Sequence, residues 1–243
     1  MSKTIILITG ANQGLGFEIA KSLSTAQQNF HVILAGRSLS KVNAAVESLE
    51  STKSSTNTLQ GLELDLTSDS SIAAAVKKIE MAYGYLDVLM NNAGIIGRDP
   101  TEDLRTNYRK VFDTNVFGQA VLTDACIPLL QKSSNPRIVF MSSGLGSISD
   151  TLDPKYEFYG LDGAVYKATK AALNMMTACY AVKYGKEGFK VNSCDPGWRQ
   201  TNLNNYSAGA GAKEEGAVNA CRLIMGEGGE NGTFSDLNGP LRW

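Results

Sequence analysis

The chain lacks any excess of basic residues. Its 243 residues include 23 Lys and Arg against 24 Asp and Glu, which gives a formal net charge of −1 at pH 7. A chain without a positive surplus has little with which to neutralise phosphates. We therefore expect neither a nucleic acid nor a charged membrane surface as its partner.

Long apolar runs are also missing. No stretch approaches the length of about 20 residues that a membrane-spanning helix needs. The first apolar run, at 5–8, is too short for the core of a signal peptide. These absences predict a cytoplasmic protein without membrane segments.

Residues that commonly bind metals or act as nucleophiles are few. No C-x-x-C pair occurs among the four cysteines, which predicts buried free thiols rather than a disulfide framework or a metal site. They are Cys126, Cys179, Cys194 and Cys221. The only histidine, His31, begins a predicted strand far from the other candidate residues, which argues against a Ser-His-Asp hydrolase.

What the chain does contain is a regular alternation of short apolar runs and helical patterns. Strands are predicted at 4–9, 31–35, 62–66, 86–90, 137–141, 189–194 and 232–236. Helices are predicted at 17–23, 42–49, 68–83, 103–130 with Pro128 as its kink or end, up to about 184, and 213–225. The polar stretch 51–58 is expected to be an exposed loop. The alternation predicts an α/β fold in a single domain, 1–243: a doubly wound parallel sheet of about seven strands, Rossmann-like.

A glycine-rich turn follows the first strand. Gly10, Gly14 and Gly16 have the spacing G-x-x-x-G-x-G and lead into a helix. This arrangement places backbone N–H groups and a helix N-terminus against a phosphate. The second strand ends at Arg37, where an arginine accommodates a 2′-phosphate and an acid would bind a ribose hydroxyl. The residues predict NADP(H), and the alternative is that Arg37 is a surface residue in a turn.

Tyr166 and Lys170 are four residues apart in a predicted helix, so their side chains lie on one face. A nearby ammonium group lowers the pKa of a tyrosine and favours its phenolate form. The pair is a candidate acid/base unit, although many such pairs simply lie on solvated helix faces.

These motifs, in this order, resemble the short-chain dehydrogenases/reductases from end to end. The resemblance implies a cofactor site formed by Gly10, Asn12, Gln13, Gly14, Leu15, Gly16, Arg37, Asp65, Leu66, Asn92, Ala93, Gly94, Tyr166, Lys170, Pro196, Gly197 and Thr201. It implies a catalytic set of Asn115, Ser143, Tyr166 and Lys170. No metal is implied.

The resemblance also implies a mechanism. Tyr166 would give a proton to a carbonyl oxygen, and Ser143 would hydrogen-bond that oxygen as charge develops. Lys170 would lower the pKa of Tyr166 and hold the nicotinamide ribose, while Asn115 would hold a water of a proton relay. Ser142 is an alternative to Ser143.

Three segments depart from the family pattern. An insertion at about 147–163 resembles, in shorter form, that of carbonyl reductases of this family, and it is either a wall of the substrate pocket or a surface loop. Asp195 and Trp198 either contact substrate or cap a turn and cover the pocket floor. Residues 198–213 are rich in Asn, Ser, Gly and Ala and lie where the family has a mobile substrate lid.

The expected function is NADPH-dependent reduction of a C=O or C=N group in a hydrophobic small molecule. One alternative is a non-redox cyclase, because some fungal alkaloid enzymes of this family have a similar D-P-G-W stretch and also cyclise. Another is a cofactor-sensing regulatory protein. A homo-oligomer is left open, since the family often pairs through the helix that carries Tyr166 and an insertion before that helix can block pairing.

Overall fold

Eight strands form one sheet in the computed structural model, which describes residues 3–97 and 101–243. The strands are β1 (Thr4–Thr9), β2 (Phe30–Gly36), β3 (Thr58–Glu63), β4 (Val88–Asn91), β5 (Arg137–Met141), β6 (Lys190–Cys194), β7 (Phe234–Asp236) and β8 (Gly239–Pro240). Their order is β3-β2-β1-β4-β5-β6-β7-β8, and only the β7–β8 pair is antiparallel. The prediction of a doubly wound parallel sheet is confirmed, with a two-residue antiparallel strand added at one edge.

Helices connect the parallel strands and cover the sheet. They are α1 (Gly14–Thr25), α2 (Leu39–Glu50), α3 (Asp69–Tyr83), α4 (Leu104–Phe112), α5 (Gly118–Leu130), α6 (Ile148–Thr151), α7 (Ala164–Tyr184) and α8 (Lys213–Met225). The single helix predicted over 103–130 is instead two helices joined by a π-helical segment, Asp113–Phe117. Pro128 lies inside α5, which continues past it and ends at Leu130.

Apolar residues of the central strands alternate between two cores. On β1, Ile5 and Leu7 pack on one face of the sheet, whereas Ile6 and Ile8 pack on the other. Each of these four side chains is at most 3% exposed. A strand that is buried on both faces is continuously hydrophobic, which is why β1 could be identified directly from its sequence.

The third strand and the loop before it differ from the prediction. Pairing with β2 ends at Glu63, because β2 itself ends at Gly36. Leu64 and Leu66 extend the buried alternation beyond the strand. In the loop, Asn57 is fully buried rather than exposed. Its side-chain amide donates to main-chain oxygens at the end of α1 and accepts from the N–H of Phe30, so it substitutes for backbone partners.

Two further expectations concern single residues. Cys126, Cys194 and Cys221 are buried free thiols, but Cys179 is exposed, because it lies on the outer face of α7. Apolar neighbours in the sequence do not reveal which face of a helix a residue occupies. His31 is in β2 at the opposite edge of the sheet from the glycine turn, where its ring bonds to Thr58 and Tyr83. Among the helices of the described chain, none is long and apolar enough to cross a membrane.

Candidate active site

The glycine turn links β1 to α1 at the carboxyl edge of the sheet. Gly10 and Gly14 have φ values of 63° and 59°, a region that side chains with a Cβ disfavour. Helix α1 starts at Gly14 without a side-chain cap at Gln13. Its first N–H groups are therefore available to an anionic ligand, which the positive end of the helix dipole also favours.

Gly16 is required for a different reason, which is close packing. A Cβ at this position would lie 2.5 Å from the side-chain nitrogen of Asn92 and 2.6 Å from the oxygen of Gly10. That nitrogen donates to the main-chain oxygen of Thr9 at 2.8 Å. The Thr9 hydroxyl accepts from the N–H groups of Asn92 and Ala93, both at 3.0 Å. The Asn-Asn-Ala-Gly stretch thus braces the turn against β4.

A cavity of about 500 Å³ lies along this edge of the sheet. Its lining includes fifteen of the residues expected at the cofactor site: Gly10, Asn12, Gln13, Gly14, Leu15, Arg37, Asp65, Leu66, Asn92, Ala93, Gly94, Tyr166, Lys170, Pro196 and Thr201. Gly16, Asn115, Ser143 and Gly197 are not part of the lining. The first two lie beneath it, and the other two follow lining residues in the chain.

Arg37 and Asp65 lie at the end of the cavity formed by β2 and β3. Arg37 directly follows the last residue of β2 and is exposed at the cavity mouth. One oxygen of the Asp65 carboxylate accepts from the N–H and the hydroxyl of Thr67, at 3.0 and 2.8 Å. This turn holds Asp65 in place, so an arginine and a fixed carboxylate line the same end of the cavity.

Tyr166 and Lys170 lie one turn apart on α7, as their spacing predicts. The Lys170 Nζ atom is 5.4 Å from the centre of the Tyr166 ring. It donates to the oxygen of Met141, the last residue of β5, at 2.7 Å. The ammonium group is thereby held against the end of the sheet and beside the phenol.

Burial lowers the pKa of Lys170 to about 8, because desolvation disfavours its charged form. Cys194 and Asp195 oppose this shift electrostatically. Lys170 is only 2% exposed, and its amine donates to the neutral main-chain carbonyl of Met141. An anionic group bound nearby would favour the charged amine and raise its pKa.

Asn115 is fully buried within the π-helical segment Asp113–Phe117. Its side chain donates to the oxygen of Ile95 and accepts from the N–H of Ile95, both at 2.8 Å. It also donates to the hydroxyl of Thr169 at 3.1 Å. π-Helical turns are rare and concentrate at functional sites. Here the turn aims Asn115 at the strand end and at α7, next to Lys170.

The two adjacent serines differ in their environments. Ser142 is buried, and its hydroxyl donates to the side-chain oxygen of Asn174 at 2.6 Å. The Ser143 hydroxyl is partly exposed and accepts from the N–H of Leu145 at 3.2 Å. Ser142 therefore uses its proton inside the fold, whereas the Ser143 proton can point to a substrate. Ser142 nevertheless contributes to the cavity lining.

Asp195 caps the turn that follows β6. Its carboxylate accepts from the N–H of Gly197 at 3.0 Å, and Gly197 has a φ of 73°. Desolvation raises the pKa of Asp195, although hydrogen bonds from Gly197 and Gly144 oppose the shift. Trp198 is 46% exposed, and its ring meets the edge of Phe158 with centroids 6.4 Å apart. The insertion and the lid thus touch through these two rings.

A second cavity, of about 540 Å³, adjoins the first. Most of its side chains are apolar, and its lining consists of Ile96, Gly97, Leu104, Asn107, Tyr108, Leu145, Leu161, Asp162, Gly163, Ala164, Val165 and Tyr166. Ile96, Gly97 and Tyr166 line both cavities. The tyrosine therefore stands where the two spaces meet.

Several lining residues were missed by sequence reasoning. Gly36 ends β2, so the rule that sites lie at strand ends could have found it. Ile95, Ile96 and Gly97 continue the chain past β4 and could have been found by the same rule. Asn202 and Leu203 come from the lid, whose course depends on tertiary contacts and leaves no local signal.

Comparison with known proteins gives consistent results. A family model described as short chain dehydrogenase matches residues 4–210. The short-chain dehydrogenase anuI of Penicillium roqueforti (strain FM164) is 43% identical over 244 residues, covering 98% of this chain and 94% of that protein. The short-chain dehydrogenase/reductase ATR10 of Stachybotrys chlorohalonatus (strain IBT 40285) is 38% identical, covering 98% of this chain and 90% of its own length.

The solved structures include a protein of the same shape. The NADPH-bound carbonyl reductase from chicken fatty liver superimposes with a TM-score of 0.85, covering 100% of this chain and 95% of its own. Its sequence identity of 24% makes this a likeness of fold alone. The family model and the relatives with higher sequence identity show the family itself. The chain belongs to the short chain dehydrogenase family of oxidoreductases.

Proposed function

We propose that this protein reduces a C=O or C=N group of a hydrophobic small molecule with NADPH. The observation that carries the proposal is the position of Tyr166, whose side chain lines both the cofactor cavity and the apolar cavity beside it. A proton donor at that junction can reach a group that lies in one cavity and reacts with a group in the other.

The residues of the first cavity fit a dinucleotide phosphate. The glycine turn lets the backbone approach closely, and the uncapped start of α1 favours the pyrophosphate. Arg37 follows β2 at the place where NAD-preferring folds have an acid, and this supports a 2′-phosphate partner. When bound, the reduced nicotinamide supplies the hydride that the substrate carbon receives.

The chain's own residues would perform the proton chemistry and the positioning. Tyr166 would give its hydroxyl proton to the substrate oxygen or nitrogen. The Ser143 hydroxyl would donate to the same atom, stabilising the charge that develops there. Lys170, held by the Met141 oxygen, would keep the pKa of Tyr166 low while charged. Asn115 would order a water that returns a proton from solvent.

The second cavity supports a hydrophobic substrate. Leu104, Leu145, Leu161 and Val165 line it, and within residues 3–97 and 101–243 Asp162 is the one ionisable lining residue besides the tyrosines. Burial of apolar surface would therefore provide most of the binding free energy.

Cofactor binding tests the proposal directly. Titration of intrinsic fluorescence should show that the wild type binds NADPH about ten- to a hundredfold more tightly than NADH, because a charged hydrogen bond at Arg37 contributes to one cofactor only. Arg37→Asp should abolish this preference. Lys186→Asp makes the same charge change between α7 and β6, away from the cavity, and should preserve it. Equal affinities in the wild type would refute the NADPH assignment, and failure to bind either cofactor would refute the reductase itself.

A further inference from the structure

The insertion at 147–163 is organised largely by bonds within itself. After α6, consecutive tight turns bring the N–H of Tyr156 to the oxygen of Asp153 and the N–H of Tyr159 to the oxygen of Tyr156. A third turn joins the N–H of Leu161 to the oxygen of Phe158. No part of the insertion pairs with a strand of the described sheet. Its position over the site must therefore depend on side-chain contacts with other segments.

Arg242 supplies two of those contacts. Its guanidinium forms ion pairs with the carboxylates of Asp150 and Asp153, the latter at 3.1 Å. Both aspartates belong to the first half of the insertion, and both are less exposed than the arginine. The same guanidinium nitrogen makes both contacts, so one positive charge joins two points of the same segment.

Trp243 supplies two more. Its main-chain oxygen accepts from the hydroxyls of Ser149 at 2.7 Å and Ser147 at 3.3 Å. Its ring packs against Phe234 of β7, with centroids 5.6 Å apart. Next to it, the N–H of Leu241 donates to the Phe234 oxygen at 2.8 Å. Because Phe234 is only 2% exposed, these contacts fix the last residues to the core of the sheet.

Within the described residues, the distant side-chain hydrogen bonds and ion pairs of the insertion converge on Arg242 and Trp243. At its other end, the insertion provides Leu161, Asp162 and Gly163 to the second cavity. We propose that Arg242 and Trp243 form a C-terminal clamp that positions the insertion as a wall of the substrate cavity. This inference rests on the proposed function, because the clamp positions a wall of the same substrate site.

The clamp has a specific kinetic consequence. Releasing the insertion disorders one wall of the substrate cavity and leaves the glycine turn, Arg37 and Tyr166 untouched. Substrate binding should weaken, whereas cofactor binding and the chemical step should stay close to wild type. Arg242 would therefore be a positioning residue, whose loss raises KM without changing the affinity for NADPH.

Limited trypsin digestion tests the clamp without any substrate. Lys155 is the only lysine or arginine of the insertion, and it is exposed. Arg242→Gln should accelerate cleavage after Lys155 by about three- to tenfold, because two partly exposed ion pairs of modest strength are lost. Asp150→Asn combined with Asp153→Asn removes the carboxylates that pair with Arg242 and should accelerate cleavage to the same extent. Arg242→Lys should restore part of the protection. Lys132→Gln removes an exposed lysine paired with Glu80 and should change nothing.

Steady-state kinetics with 9,10-phenanthrenequinone, a flat apolar dicarbonyl, provide the second readout. In Arg242→Gln we expect KM for the quinone to rise about three- to tenfold, with kcat and the NADPH affinity within twofold of wild type. Unchanged cleavage at Lys155 would overturn the clamp. Faster cleavage with an unchanged KM would overturn its role in the site. A wild type that reduces no carbonyl probe would instead refute the proposed function, while the cleavage rates would still decide whether the clamp exists.

Discussion

The two sides of the active site are built in different ways. On the cofactor side, backbone atoms lie so close together that the residue type is forced, as at Gly16, where a Cβ would lie 2.6 Å from the main-chain oxygen of Gly10. On the substrate side, the insertion is held by the ion pairs of Arg242 and by a ring contact between Phe158 and Trp198. The first side tolerates little change in sequence, whereas the second can change while the fold persists.

This difference separates cofactor binding from substrate choice. The cofactor side belongs to β1, β2 and β4, whose central residues are buried in the two cores. The substrate side includes the insertion, no part of which pairs with a strand of the described sheet. A protein built in this way can acquire new substrates by changing the insertion, without loss of its redox chemistry.

The largest expected effect falls where the two sides meet. Tyr166→Phe removes the hydroxyl shared by both cavities and leaves their shapes almost unchanged. We expect kcat/KM for the reduction of 9,10-phenanthrenequinone to fall about 10²- to 10⁴-fold, the usual contribution of a general acid. NADPH affinity, measured by fluorescence titration, should stay within threefold.

A matched variant separates the hydroxyl from the ring. Tyr159→Phe makes the same change on an exposed ring of the insertion and should retain full activity. Should Tyr166→Phe keep most of its turnover, Tyr166 is not the proton donor and the reductase mechanism proposed for it is wrong.

A pair of glycine variants compares the two sides directly. Gly16→Ala on the cofactor side should lower the free energy of unfolding by about 1–3 kcal/mol, because the added methyl group must displace packed atoms. It should also weaken NADPH binding about tenfold or more, since the displaced atoms shape the phosphate site. Thermal unfolding and fluorescence titration measure the two effects.

Gly160→Ala is the counterpart in the insertion. A Cβ there meets no atom within 4 Å, and only the φ of 77° disfavours it. That strain should cost about 1 kcal/mol and leave NADPH binding unchanged. If both variants bound NADPH equally well, the cofactor side would be more tolerant than its packing indicates.

The same contrast explains how much could be predicted from the sequence. β1 is apolar throughout because it is buried on both faces. The glycines after it are required by the local backbone geometry. Each of these signals lies within a few neighbouring residues of the sequence, so the sheet and most of the cofactor cavity could be predicted from it. The break at Asp113–Phe117, the burial of Asn57 and the exposure of Cys179 were missed, since each depends on distant packing.

The substrate side was predictable only in outline. An excess of residues between Ser143 and Tyr166 reveals that an insertion exists, but not what holds it. Arg242 lies 89 residues from Asp153 in the chain, and no pattern in the sequence links them. Contacts between surface segments follow from the finished fold, so they become visible only in the structure.

The pH dependence of stability tests how much the buried charge of Lys170 costs in free energy of unfolding. Burial lowers the pKa of Lys170 to about 8 from an ordinary 10.5. Below pH 8 the folded protein must bury a charge, and as the pH rises from 8 to 10.5 the unfolded state holds more protons, so stability increases. Lys170→Met should therefore raise the unfolding temperature at pH 7 by about 2–8 °C in the protein without cofactor.

That gain should shrink as the pH approaches 10.5, where the lysine is neutral in both states. Lys167→Met, one turn earlier on the same helix, should show no such dependence on pH. Thermal unfolding between pH 6.5 and 10 distinguishes the two. A Lys170→Met protein that is less stable than wild type at every pH would mean that the bond to the Met141 oxygen outweighs the cost of the buried charge.

The smallest expected effect concerns the contact between insertion and lid. Phe158→Ala removes the ring that lies edge-on to Trp198 and also to Tyr156, whose centroid is 5.6 Å away. Edge-to-face pairs contribute about 0.5–1.5 kcal/mol each, so we expect KM for the quinone to rise about two- to tenfold. Because Tyr166 and the glycine turn are unaffected, kcat and the affinity for NADPH should stay within twofold.

Tyr159→Ala, next to Phe158 on the same turn, serves as the control and should leave KM unchanged. Equal KM values for Phe158→Ala and wild type would show that the rings do not shape the cavity, and the position of the wall would then depend on the C-terminal clamp alone.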